Sequence, residues 1–240
     1  EINLTADWAV EQLVLTVPPG GGNGDLVPRS LRERYASGEL TLEEIRASNP
    51  WPYPPREAEL TETGRIAAER FDTRSAADNP RFSCKPTSVI FDWVFDWPIN
   101  RIVQRFDAYG NRVIDISYGL YGLSRRIHVG MDAHPADLEP GYAGHSIGRW
   151  EGDTLVVDTI GFEAGVLVAP IRNSEQMRIV ERFTLAPDAQ QIRRAYTVTD
   201  PVYLAQPYTG EDVVLLSQTP FEYHPCEELT WEYSTGATED

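Results

Sequence analysis

Residues Arg101–His128 read RIVQRFDAYGNRVIDISYGLYGLSRRIH. Three short runs within them, Arg101–Phe106, Arg112–Tyr118 and Leu123–His128, are rich in β-branched and aromatic residues. They are separated by Tyr109-Gly110-Asn111 and by Gly119–Gly122. Such side chains fit a pleated, half-buried surface, and Gly and Asn mark turns, so the stretch predicts an antiparallel meander. Val89–Phe95, closed by Trp97-Pro98, reads as one more strand ahead of it. Downstream, after a polar loop from Gly130 to Gly144, the pattern resumes in His145–Trp150, Thr154–Ile160, Gln176–Leu185, Gln191–Thr199, Val213–Leu216 and a last run at Phe221–Tyr223. About ten strands joined mostly by short turns predict a mainly β fold, either an antiparallel barrel of the calycin or lipocalin type or a two-sheet sandwich. Strand count alone does not decide between the two.

Upstream the pattern differs. Trp8–Val17, with apolar Leu13, Leu15 and Val17 alternating, reads as a strand ending at Pro18-Pro19. Gly20–Gly24 follows as a loop. Helices are expected at Ser30–Ala36, after Thr41, where Glu44 completes a capping box, and at Thr61–Phe71. The prolines of Asn49–Pro55 require an extended path. Residues 1–80 therefore read as a strand plus a small helical annex, and 81–240 as the β domain.

The chain carries 21 Lys and Arg against 37 Asp and Glu, a formal charge of -16. A surface of that sign repels phosphate backbones, so nucleic acid is not expected as a partner. No apolar run approaches the roughly 20 residues that a membrane-spanning helix needs, so no integral membrane segment is expected. Glu1 is not a Met, which fits removal of a leader. Cys84 and Cys226 are the two cysteines. They either form one disulfide, worth about 4 to 5 kcal/mol in the chain-entropy model, or stay as buried thiols.

Chemistry concentrates at Gly144–Thr159, GHSIGRWEGDTLVVDT, two strands and a tight turn. With Glu151-Gly152 at the centre of the turn, His145 lies opposite Asp158 and Ile147 opposite Val156; a three-residue turn sets His145 against Thr159 instead. A facing carboxylate would orient the imidazole for general acid/base work. Arg125, Arg126, His128, Asp132 and His134 lie just upstream. His134 and Arg126 are candidate assistants of His145, although both arginines also read as a solvated strand face. The histidine spacing matches no compact ligand motif, so no metal is assigned, and no nucleotide, phosphate-loop or nucleophile-elbow motif is present, so no cofactor is expected. Trp93, Tyr118, Tyr121, His128, Trp150 and Phe162 are candidates to line an apolar ligand cavity, or an ordinary aromatic core.

Arg125-Arg126-Ile127-His128, His134-Pro135, the Gly144–Thr159 block with Gly161-Phe162, and Glu181-Arg182-Phe183 resemble a group of uncharacterised exported bacterial proteins, over roughly Asn79–Glu228. The resemblance implies export to the periplasm or beyond, a Cys84–Cys226 disulfide, and a functional role for the His145 block. Members often carry a histidine before the Glu-Arg-Phe strand, whereas Ala169–Glu175 contains none here, which weighs against a metal.

Two functions fit these residues. One is a cofactor-independent enzyme of lyase, isomerase or hydratase type on a hydrophobic or aromatic small molecule, with His145 as acid/base and Asp158 orienting it. The other is a carrier of a hydrophobic ligand inside a barrel. An envelope-assembly module is a third reading, marked by a broad exposed apolar patch.

Overall fold

A computed structural model describes residues 2–15, 29–41, 44, 58–73, 75–94, 99–223 and 226. Nine strands close into a barrel: β1 (Ala6–Leu15), β2 (Ile99–Phe106), β3 (Arg112–Ser117), β4 (Ser124–Val129), β5 (His145–Glu151), β6 (Thr154–Ile160), β9 (Arg178–Leu185), β10 (Gln191–Thr199) and β11 (Tyr208–Leu216). Round the wall the order is β1-β11-β10-β9-β6-β5-β4-β3-β2. Because β1 pairs with both β11 and β2, residues 6–15 form part of the barrel wall. A separate hairpin, β7 (Gly165–Val168) with β8 (Ile171–Asn173), has no counterpart in the strand pattern read from the sequence.

Several wall strands alternate between buried and more exposed positions. In β10, Ile192, Arg194, Tyr196 and Val198 are buried while Gln191, Arg193, Thr197 and Thr199 are exposed, the period of two that sends successive side chains to opposite faces. The inward set fills the barrel with a single core that includes Trp8, Ile102, Ile114, Ile127, Leu155, Val157, Ile179, Phe183 and Val214.

One pair departs from the antiparallel expectation. β4 and β5 run parallel, Ile127 beside Ser146 and His128 beside Ile147. Parallel neighbours need a return crossing of a dozen or more residues, and residues 130–144 are long enough to supply it.

The residues of Val89–Phe95 predict a strand; residues 91–94 instead form a short helix. The Ser88 hydroxyl accepts from Phe91 N at 3.0 Å and the Asp92 carboxylate accepts from Thr87 N at 2.8 Å. These local bonds satisfy donors that a strand would have had to pair across a ladder, and they outweigh the β propensity of the residues. Phe221–Tyr223 is not a strand either. Phe221 N donates to the Asp7 carboxylate at 2.9 Å, and its ring lies 5.0 Å from the Arg101 guanidinium.

Among the described residues two longer helices lie ahead of the short one at 91–94: α1 (Arg29–Ala36) and α2 (Glu62–Glu69), the latter capped by the Thr61 hydroxyl, which accepts from Gly64 N at 3.0 Å. The capping bonds expected at Thr41 and Glu44 are present, at 2.8 and 3.2 Å. The readings of Gly20–Gly24, Asn49–Pro55 and Trp97-Pro98 fall outside the described residues. Cys84 and Cys226 form a disulfide across 142 residues of sequence. Among the described residues no helix is long and apolar enough to cross a membrane.

Candidate functional site

The hairpin of β5 and β6 turns on Gly152-Asp153, not on Glu151-Gly152. Glu151 pairs with Thr154, Ile147 with Asp158 and His145 with Ile160. Gly152 takes φ +60° at the first central position, where a two-residue hairpin of the II′ kind needs a glycine. The expected pairing of His145 with Asp158 is thus displaced by two residues. An even displacement keeps both side chains on one face, the outer face of the barrel, while Ser146 and Thr159 face inward and share a buried 2.9 Å hydroxyl contact.

On that outer face three of the chain's four histidines meet; the fourth, His224, lies outside the described residues. The parallel pairing of β4 with β5 sets His128 beside Ile147, so its ring stacks on that of His145 with centroids 5.0 Å apart and planes 11° apart. The loop that makes the strands parallel carries His134 back over them. His134 Nδ1 lies 2.8 Å from His145 Nδ1, and His134 Nε2 lies 3.8 Å from an Asp158 carboxylate oxygen. Asp158 is held by a bidentate pair with Arg178, at 2.8 and 2.6 Å.

Charge fixes the tautomers. A hydrogen bond between the two Nδ1 atoms requires one donor and one acceptor. His134 Nε2 is buried without a hydrogen-bond partner and faces a carboxylate, so its proton belongs there. His134 Nδ1 is then the acceptor and His145 Nδ1 the donor, which leaves His145 Nε2 with a lone pair. Burial lowers the pKa of His145, and the neighbouring His128 and His134 lower it further. Burial also lowers that of His134, against the pull of Asp158. Both rings are biased toward the neutral form that a base requires.

Neither family models, nor curated proteins, nor solved structures match this chain. Its functional reading therefore rests on its own residues.

The remaining candidates are dispersed. Arg126 is on the outer face of β4 but is engaged by Asp115 at 2.7 Å. Arg125, read as solvated, is buried and makes a bidentate pair with Glu181 at 2.5 and 2.9 Å. Trp93 and Tyr118 are core residues, edge to face at 5.8 Å, and Phe162 is buried in the same core. Trp150 lines a cleft of about 180 Å³ with Phe106 and Val129 at the opposite end of β5 from His145. Tyr121 lies on the turn before β4, its hydroxyl 3.3 Å from Arg81 Nε. Among the described residues no group of three or more His, Cys, Asp or Glu is placed to hold a metal ion.

Three features escaped sequence reading. The first is Arg178, the partner of Asp158. The second is an ionic chain inside the barrel: Arg125 to Glu181, Glu181 to Arg194 at 3.2 Å, and Arg194 to Asp212 at 2.6 Å, with Trp93 Nε1 donating to Asp212 at 3.0 Å. Burial works against ionisation here, yet Asp212 and Glu181 together hold the Arg194 guanidinium charged. The third is Asp92, fully buried beside Thr87, whose carboxyl burial pushes up to about 7. Charged letters at the inward parity of β9, β10 and β11 were the available signal for the ionic chain.

Proposed function

We propose that the chain transfers a proton on a small hydrophobic or aromatic molecule without a cofactor, with the Nε2 lone pair of His145 as the base. His134 orients His145 through the contact between their Nδ1 atoms, and Asp158, fixed by Arg178, orients His134. The observation that carries this reading is the meeting of three of four histidines from a strand, a loop and a second strand, two of them in line with a carboxylate. Proton transfer needs a neutral, oriented base near its working pH, and partly buried imidazoles held by one another and by a carboxylate meet that need. His145 returns the proton to a neighbouring carbon in an isomerisation, or to the departing group as its bond breaks in an elimination, so no external acid is consumed. Carriage of a ligand within the barrel finds less support, because core side chains and the ionic chain occupy the interior.

Export belongs to the same reading. It is supported by the resemblance of the Gly144–Thr159 block to exported bacterial proteins, and by a disulfide, which persists in oxidising compartments.

Deuterium incorporation from D₂O into a panel of aryl ketones, followed by proton NMR, tests the reading. Wild type is expected to accelerate exchange in at least one compound, and His145→Gln to abolish it without changing the circular dichroism spectrum. Equal exchange rates in wild type and variant, or an imidazole of His145 that titrates above the ordinary histidine range, would end it.

A further inference from the structure

Asn3-Leu4-Thr5 is an Asn-x-Thr triplet with no proline in its middle, the pattern that an oligosaccharyltransferase reads when it links a glycan to an asparagine amide. Of the chain's seven asparagines, Asn3 alone is followed two places on by Ser or Thr. Glu1 adds an acid two places ahead, which bacterial transferases of this kind also require.

The fold leaves this triplet where a glycan can stand. Asn3 and Thr5 are exposed, while Leu4 between them is buried to 1% exposure. Thr5 N donates to Asn3 Oδ1 at 3.0 Å, an Asx turn, and among the described residues Asn3 Nδ2 makes no hydrogen bond. Donation to Oδ1 polarises the amide and makes its N–H more acidic, the change an amide nitrogen needs before it can attack carbon. The Thr5 hydroxyl accepts from Gln104 N at 2.9 Å, so its own hydrogen remains free to donate. Gln104 Oε1 accepts from Leu4 N, and Gln104 Nε2 donates to Ile2 O at 3.2 Å. Gln104 thereby sets the triplet beside the cleft that it lines with Phe106 and Trp150.

We propose that Asn3 carries an N-linked glycan, received from a polyprenyl-diphosphate-linked oligosaccharide as the chain leaves the cytoplasm. Asn3 Nδ2 forms a bond to the anomeric carbon of the sugar. The bond from that carbon to the diphosphate oxygen breaks, its electron pair stays with the diphosphate, and the amide proton passes to a base of the transferase. Nothing is oxidised or reduced. The proposal rests on the export reading above and is independent of proton transfer at His145. Burial of Leu4 orders the events: the folded barrel cannot pass the triplet through a transferase site, so transfer precedes folding, and the exposed Asn3 side chain then leaves the sugar in solvent.

Non-reducing mass spectrometry of the full chain isolated from its natural cells, with peptide mapping, tests this. The Cys84–Cys226 bond is expected closed and one glycan is expected on the peptide that contains Asn3. Asn3→Gln and Thr5→Val, each produced in the same cells, are expected to lose the added mass entirely. Asn3 is exposed, so its variant keeps the test valid if Thr5→Val, which removes the acceptor of Gln104 N, fails to fold. A closed disulfide with an unmodified Asn3 overturns this proposal alone. Reduced cysteines with an unmodified Asn3 overturn the export reading and this proposal together, and a glycan that persists in Asn3→Gln overturns the assignment of the site.

Discussion

Replacement of Asp92 by Asn isolates the cost of burying one carboxyl. Asp92 is fully buried, its pKa raised by burial from 3.8 to about 7, while the backbone N–H of Thr87 holds one oxygen at 2.8 Å. Because the folded value is the higher one, the folded protein binds a proton that the unfolded chain has released. The contribution of this group to stability is complete below pH 3.8 and is lost as pH rises through about 7. The shift corresponds to a loss on the order of 4 kcal/mol by neutral pH, at about 1.4 kcal/mol per pH unit. Asparagine does not titrate and retains an acceptor for Thr87 N. The advantage of Asp92→Asn over wild type should therefore grow steadily between those two pH values and level off above the upper one. Any fixed packing cost of the amide displaces this curve without changing its slope. Urea denaturation of both proteins at a series of pH values, compared at each pH, cancels the titration of every other group. A difference that stays flat with pH would refute the assignment of Asp92 as a buried acid whose pKa is raised by desolvation.

Glu181→Gln leaves Arg125 and Arg194 facing each other with only Asp212 to answer them, so urea denaturation should show a loss of about 3–5 kcal/mol. By contrast Arg182→Ala, which removes an exposed partner of Glu151, should leave the urea midpoint where it is in wild type. In NMR titration His145 should protonate below the ordinary histidine range, and His128→Ala should move its midpoint upward by removing a neighbouring positive charge. Since the folded values of His145 and His134 are depressed, both disfavour the fold as pH falls below the unfolded histidine value. The pH dependence of stability on the acid side should accordingly flatten in the His134→Asn, His145→Asn double variant. Exchange of both cysteines for serine should cost roughly 2–5 kcal/mol, read from the urea midpoint, because the bond closes a loop of 142 residues.

Parity explains what was legible in the sequence. Strand periodicity of two identified nearly every wall strand, because each has one solvated and one buried face: the alternation of β10 is plain in Gln191–Thr199. Where a segment makes its bonds locally, the same letters misled. Phe91–Val94 carries strand-forming residues, yet Ser88 and Asp92 satisfy the backbone donors at its start, and nothing in the alternation announces that. The segment Gly165–Asn173 hid for a related reason: it contains Pro170 and pairs only with itself, outside the barrel.

His145 and Asp158 share one face of the hairpin despite an error in the expected register, because that error was even. A slip of two residues preserves the face of every side chain, so His145 and Asp158 stayed together although they are not directly opposed; a slip of one would have sent Asp158 into the core. What no reading of two adjacent strands could supply was the residue between His145 and Asp158. His134 stands in a loop, and only the parallel return from β4 to β5 folds that loop across the face where His128 and His145 already meet. The ionic chain fails in the opposite direction. Glu181, Arg194 and Asp212 each fall on the inward parity of their strands, so parity alone placed them inside, and the assumption that charges face water hid them. Four charges of balanced sign within one barrel answer one another, so the interior holds ion pairs without a net charge.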